Sequence, residues 1–155
     1  MNDSSFQKVE KSEKRMFGPP CILICGYKGD EQEMILSLIK RCGLSRHPVV
    51  FATEDDANLI LRDIVTVESG KGRGRSSGLE RAIIMSGLTE NELHSLLSTY
   101  RKEKYTPQLW ATLTPISEGW PLRELLKELS AEAEAFRKRQ QKKNSGISSD
   151  NNDQT

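Results

Sequence analysis

The sequence predicts an α/β fold: an internally duplicated β-α-β-α unit, forming a four-stranded, mostly parallel sheet in the order 2-1-3-4 with helices on its faces. Three observations carry this. The Gly-bounded apolar run Ile22-Leu23-Ile24-Cys25-Gly26 has a counterpart in Ile83-Ile84-Met85-Ser86-Gly87. Each run is followed by an acidic, amphipathic helix pattern. Each helix pattern then leads to a proline-entered extended run, Pro48-Val49-Val50-Phe51-Ala52-Thr53 and Pro107-Gln108-Leu109-Trp110-Ala111-Thr112, with one large aromatic and a closing Ala-Thr. Alternation of strand and helix argues a parallel sheet with helices packed on it. Were the link between the halves a simple hairpin, the same elements would make a ferredoxin-like α+β sheet.

Taken in order, residues 1–20 read as a flexible lead, polar and ended by Gly18-Pro19-Pro20. A single duplicated domain is expected over 21–136, with halves at about 21–68 and 79–136. Cys21 to Cys25 is continuously apolar, the pattern of a strand covered on both faces. After Gly26-Tyr27-Lys28-Gly29, Asp30 and Glu33 suggest a capping box, and Met34, Ile35, Leu38 and Ile39 share one helical stripe that Gly43 closes. Pro48 to Ala52 forms the second strand, and Ala57, Leu59, Ile60 and Ile64 predict a helix near 54–63. The basic stretch 69–78, rich in Gly, Arg and Ser, reads as a solvated loop between halves. In the second half, Arg81 to Met85 begins the third strand, and Thr89 with Glu92 caps a helix over 90–102 that buries Leu93, Leu96, Leu97 and Tyr100. Gln108 to Leu113 is the fourth strand. Pro121 starts the last helix, whose stripe is Leu122, Leu125, Leu126 and Leu129. Beyond 136 the pattern dissolves into a basic run, Arg137 to Lys143, and residues 144–155 are expected to be disordered.

Composition narrows the functional classes. The chain has 155 residues, enough for a core without disulfides or metal. Its 23 basic and 22 acidic residues leave no global field for nucleic acid, which is disfavoured as a partner. Three cysteines are odd in number, and Cys21 and Cys25 stand about 13 Å apart at strand rise, beyond disulfide reach. A reducing compartment fits. Two histidines and no paired CxxC give no support for zinc, and no cofactor is expected. The first 20 residues lack an apolar signal-peptide core, and their mixed charge makes a poor organelle transit peptide.

A parallel sheet places ligands at the carboxyl ends of strands where the winding reverses. That rule would bring Gly26, Lys28 and Gly29 beside Gly87 and Thr89, two helix N-termini facing one anion. A small-ligand or nucleotide/phosphate-binding domain is therefore the alternative function, although tight turns alone explain these glycines and the full GxGxxG spacing is missing. Lys71, Arg73 and Arg75 do not fit a Walker loop, since Gly72 stands where Ser or Thr belongs. Cys25 has no His or acid beside it in sequence, and its counterpart is Ser86. His94 lacks a patterned partner. No catalytic set emerges. The candidate protein-contact residues are Trp120, in a loop between prolines, and the cations Arg137, Lys138 and Arg139, which follow the last apolar stripe residue.

With Phe51-Ala52-Thr53-Glu54, Met85-Ser86-Gly87-Leu88 and Trp110-Ala111-Thr112-Leu113-Thr114-Pro115, the chain over Cys21 to Leu129 resembles a small family of uncharacterised domains. That family occurs in bacteria and in plant plastid proteins. Among plant proteins the likeness is to the C-terminal domain of a nucleus-encoded photosystem I assembly factor. The resemblance implies a non-catalytic module in the chloroplast stroma, peripheral at the thylakoid membrane. Its partners would be other proteins, photosystem I assembly factors among them. A cytoplasmic location is the alternative. The basic Gly-Arg loop and the charged C-terminal extension depart from the bacterial form.

Overall fold

The structure is a computed structural model that describes residues 14–154, with side chains through Lys143. Four strands, β1 (Cys21–Cys25), β2 (Val49–Ala52), β3 (Ala82–Ser86) and β4 (Leu109–Thr112), form one sheet in the order β2-β1-β3-β4. The helices are α1 (Gln32–Arg41), α2 (Leu61–Ile64), α3 (Glu90–Lys102) and α4 (Leu122–Gln154). Every residue of β1, β2 and β3 is buried, as expected for strands covered on both faces. Alternate side chains divide between two cores. Ile22, Ile24, Phe51, Ile83 and Met85 meet α1 and α3 on one side. Leu23, Val50, Ala52 and Ile84 meet α2 and the first turns of α4 on the other.

The mostly parallel character holds for the two outer pairings, β1 with β2 and β3 with β4. The central pair is antiparallel, Cys21 opposite Ser86 and Cys25 opposite Ala82. A parallel crossover takes a dozen or more residues, usually helical, to carry the chain back along the sheet. Here α2 has only 4 residues, and the chain enters β3 beside the end of β1 instead. The helix expected near 54–63 is correspondingly short: a 3-10 turn at Glu54–Asp56, extended backbone at Ile60, then α2. Tertiary pairing breaks it, because the Leu61 N–H donates to the Trp120 carbonyl (2.9 Å) and the Leu122 N–H to the Leu59 carbonyl (2.9 Å).

The duplication holds at a constant shift of 61 positions, Ile22 to Ile83 and Val49 to Trp110. The turns obey it too: the Thr53 N–H donates to Asp56 Oδ2 (2.9 Å), the Thr114 N–H to Ser117 Oγ (3.1 Å). The Ala-Thr match in the sequence is therefore displaced by two residues. Trp110 corresponds to Val49, and Phe51 to Thr112. A slip of two keeps every side chain on its own face, so alternation cannot detect it.

Two segments expected to be loose are held. Residues 14–20 of the lead run beside the β3–α3 turn, with Met16 N–H donating to the Leu88 carbonyl (2.8 Å) and Gly87 N–H to the Phe17 carbonyl (3.0 Å); residues 1–13 lie outside the described residues. The 69–78 loop is a strap across the ends of β1 and β2. Helix α4 also continues past 136, because Arg, Lys and Gln in 137–143 are good helix formers. The disorder expected for 144–155 meets a backbone helical through Gln154.

Candidate functional site

The antiparallel centre of the sheet separates the two loops proposed as one anion site. Gly26, Lys28 and Gly29 follow the end of β1 at Cys25, whereas Gly87 and Thr89 follow the end of β3 at Ser86, and Ser86 pairs with Cys21 at the opposite end of β1. Helix N-termini therefore face opposite ends of the sheet. Each glycine is explained by close packing. At Gly26 (φ 78°) an added Cβ would lie 2.5 Å from the Leu79 carbonyl oxygen, and at Gly87 (φ 68°) 2.4 Å from that of Gly18. In both turns the segment preceding the next strand, or the lead itself, fills the space a ligand would need. Thr89 caps α3, its hydroxyl accepting from the Glu92 N–H (3.1 Å) while Glu92 Oε1 accepts from the Thr89 N–H (2.8 Å). The equivalent cap on the first turn is Glu31, which accepts from the Lys28 N–H (3.0 Å), not the Asp30 and Glu33 pair expected.

The strap closes the first of these turns. Buried Gln32 grips it twice, Nε2 donating to the Arg75 carbonyl (2.9 Å) and Oε1 accepting from the Gly74 N–H (2.7 Å). Gly29 N–H donates to Ser76 Oγ (2.9 Å) and Gly78 N–H to Glu54 Oε2 (2.7 Å). The three cations are occupied: Arg73 with Glu33, Arg75 with Asp55 (3.2 Å), and Lys71 with Asp56 (3.8 Å). Further along, Ser69 to Lys71 runs against the outer edge of β2. Val49 N–H donates to Ser69 Oγ (3.0 Å), Gly70 N–H to the Val49 carbonyl (2.7 Å), and Phe51 N–H to the Lys71 carbonyl (2.9 Å).

Polar groups missed in the sequence join the halves. Arg81 lies over the Tyr27 ring (3.9 Å) and pairs with Glu31 (3.0 Å), while the Tyr27 hydroxyl donates to Gln108 Oε1 (2.7 Å). Their placement follows from β3 entering beside β1, which no motif encodes. Burial first, and then the negative charges of Asp56 and Glu80, push the Cys25 thiol well above its ordinary range. Burial raises Cys21 to about 12, so neither strand cysteine is poised as a thiolate. His94 is exposed, whereas His47 Nε2 lies 2.8 Å from Glu92 Oε2. Among the described residues no cluster of three or more His, Cys, Asp or Glu is placed to hold a metal ion, and no helix is long and apolar enough to cross a membrane.

Of the exposed large apolar side chains among the described residues, Ile116 and Phe136 lie on the second half, Leu59 on the first and Phe17 on the lead. Trp110 is partly buried, its ring edge-on to Tyr100 at 5.2 Å. Trp120 is partly buried against the α2/α4 core, beside Leu59 (43 % exposed) and following Ile116 (74 % exposed). After Leu129, the last residue packed on the core, α4 carries Phe136 (57 % exposed) and then Arg137, Lys138 and Arg139, all exposed. Trp120 and these cations do not form one patch. They stand about 22 Å apart along the helix at its usual rise. Residues 81–136, the whole of this second unit through Phe136, match a known family model. The match is to a domain of unknown function, DUF3783. No curated protein and no solved structure matches the chain. An uncharacterised domain is thus found over residues 81–136 rather than over Cys21 to Leu129; the matched segment contains the Trp-Ala-Thr-x-Thr-Pro block and ends before the basic run Arg137 to Lys143.

Proposed function

We propose that the chain is a non-catalytic protein-interaction module that assists assembly of a photosynthetic membrane complex, photosystem I, from the stromal side of the thylakoid. The observation that carries an interaction role is the exposed continuation of α4. Arg137, Lys138, Arg139, Lys142 and Lys143 follow Phe136 on helix that packs against nothing in the core; Arg137 pairs with Glu134 one turn back (3.3 Å), and the other four stand exposed to an acidic protein surface or an anionic membrane face. The apolar rim of Ile116 and Trp120 offers a second, separate contact at the start of the helix. The choice of photosystem I and of the stroma rests on the likeness of the Trp110 to Pro115 block to plant plastid proteins.

Truncation after Phe136 tests the reading. The melting curve should stay unchanged, because the α4 residues packed on the cores end at Leu129. Association with thylakoid membranes or with photosystem I assembly intermediates should weaken in the truncated form, and binding by the intact chain should fall with salt as screening grows. Equal binding by both forms at every salt concentration would remove the basic helix end from recognition.

A further inference from the structure

The two edges of the sheet are treated differently. On β2 the outward N–H groups of Val49 and Phe51 and the Val49 carbonyl are taken by Ser69 to Lys71. The corresponding residues of β4 are Trp110 and Thr112. In β4 the N–H groups of Leu109 and Leu113 point to β3, donating to Arg81 (3.0 Å) and Met85 (2.9 Å), so those of Trp110 and Thr112 point away from it. β4 ends the sheet, and among the described residues nothing bonds to that side of it. Where the first half folds its strap back, the second half continues into α4.

We infer that β4 is the self-association edge of this protein, pairing antiparallel with β4 of a second copy about a two-fold axis at Ala111. Such pairing sets Trp110 of each copy opposite Thr112 of the other. Two residue pairs then exchange both their hydrogen bonds, satisfying all four outward groups of each edge. On the α3 face this makes two aromatic to β-branched cross-strand pairs, a favoured combination. Ala111 at the axis is small enough for close approach. Pro107 and Pro115 bound the edge, limiting pairing to these few residues.

Ser130 to Arg137 flank the start of β4 at Pro107 to Leu109, so α4 runs back along its own strand. In a two-fold pair the two copies of α4 therefore run antiparallel on one face of the joined sheet. A second copy is favoured over a foreign strand because the edge complements itself: Trp110 and Thr112 become each other's partners about the axis at Ala111, within the short run that Pro107 and Pro115 bound.

Sedimentation of the full chain over a wide concentration range tests this without membrane or partner protein, so its outcome is independent of the assembly role. The chain should sediment as a dimer at the higher concentrations. Thr112→Pro removes an N–H that the fold itself does not use, as edge strands tolerate. It should weaken self-association by about tenfold or more, as two hydrogen bonds lost per dimer imply. Ala111→Cys in a Cys42→Ser background should cross-link to a covalent dimer on mild oxidation, since facing residues at the axis fall within disulfide reach. A chain that stays monomeric throughout, or a dimer that neither folded Thr112→Pro weakens nor Ala111→Cys locks, overturns the inference. A monomer whose capture of a thylakoid protein depends on Thr112 also overturns it, and assigns the edge to a foreign strand.

Discussion

Replacing Gln32 with alanine should release the Gly-Arg strap, whereas removing the ion pairs on that strap should not. The Gln32 side chain is 2 % exposed and makes two hydrogen bonds of 2.9 and 2.7 Å to strap main chain. A net value of roughly 1 kcal/mol for each bond, plus the buried contacts of the truncated stem, gives about 2–3 kcal/mol. The better helix propensity of alanine returns only a few tenths of that, by the usual scale. Against this, Arg73 with Glu33 and Arg75 with Asp55 are side chains between 57 % and 77 % exposed. Exposed pairs contribute about 0–1 kcal/mol each, with many at the low end. Urea melts of Gln32→Ala and of a Glu33→Gln, Asp55→Asn double variant give the comparison directly, and hydrogen exchange at the Gly74 amide reports the strap itself. Gln32→Ala should lose the larger stability and lose protection at Gly74. If the double variant costs more than Gln32→Ala, the strap is held electrostatically and the reasoning fails.

Glycine substitutions should separate conformational cost from steric cost. Gly26→Ala and Gly87→Ala meet main-chain atoms at 2.5 and 2.4 Å besides adopting positive φ, so each should cost more than about 3 kcal/mol in denaturant melts; Gly43→Ala has φ 78° and open space, and should cost only about 1–2 kcal/mol. Equal losses at all three positions would remove the packing argument. At low pH, Glu92 should contribute to acid sensitivity. Burial disfavours its charge, but the Thr89 N–H and His47 outweigh that and hold the carboxyl below its ordinary value. The stabilisation is complete above the ordinary glutamate pKa of about 4.3 and is lost as pH falls through the lower folded value. Glu92→Gln should flatten that part of the pH–stability curve, and an unchanged curve would contradict the assignment.

What was legible in the sequence is the part carried by apolar side chains. Ile22 to Cys25 and Ile83 to Met85 announce covered strands, and the stripes at Ile35, Leu38 and Ile39 and at Leu122, Leu125 and Leu126 place helices on both faces; the strand order follows from the repeat. Strand direction does not, since a fully buried strand reads alike in either direction, and the antiparallel β1/β3 pair was invisible for that reason. It decides the candidate site: with the central strands opposed, Gly26 and Gly87 can never share a ligand. The strap reads as a linker because its anchors, Gln32, Gly29 and Glu54, are single residues far from it in sequence, while its own Gly and Ser content matches a linker. Once that strap is recognised as edge protection, the duplication acquires a direction. Two copies of one unit present two equivalent edges, and the chain covers the first with its own residues 69–71. An exposed strand edge invites pairing. Leaving Trp110 and Thr112 uncovered places the inferred capacity for association in the second unit, whose residues 81–136 match DUF3783.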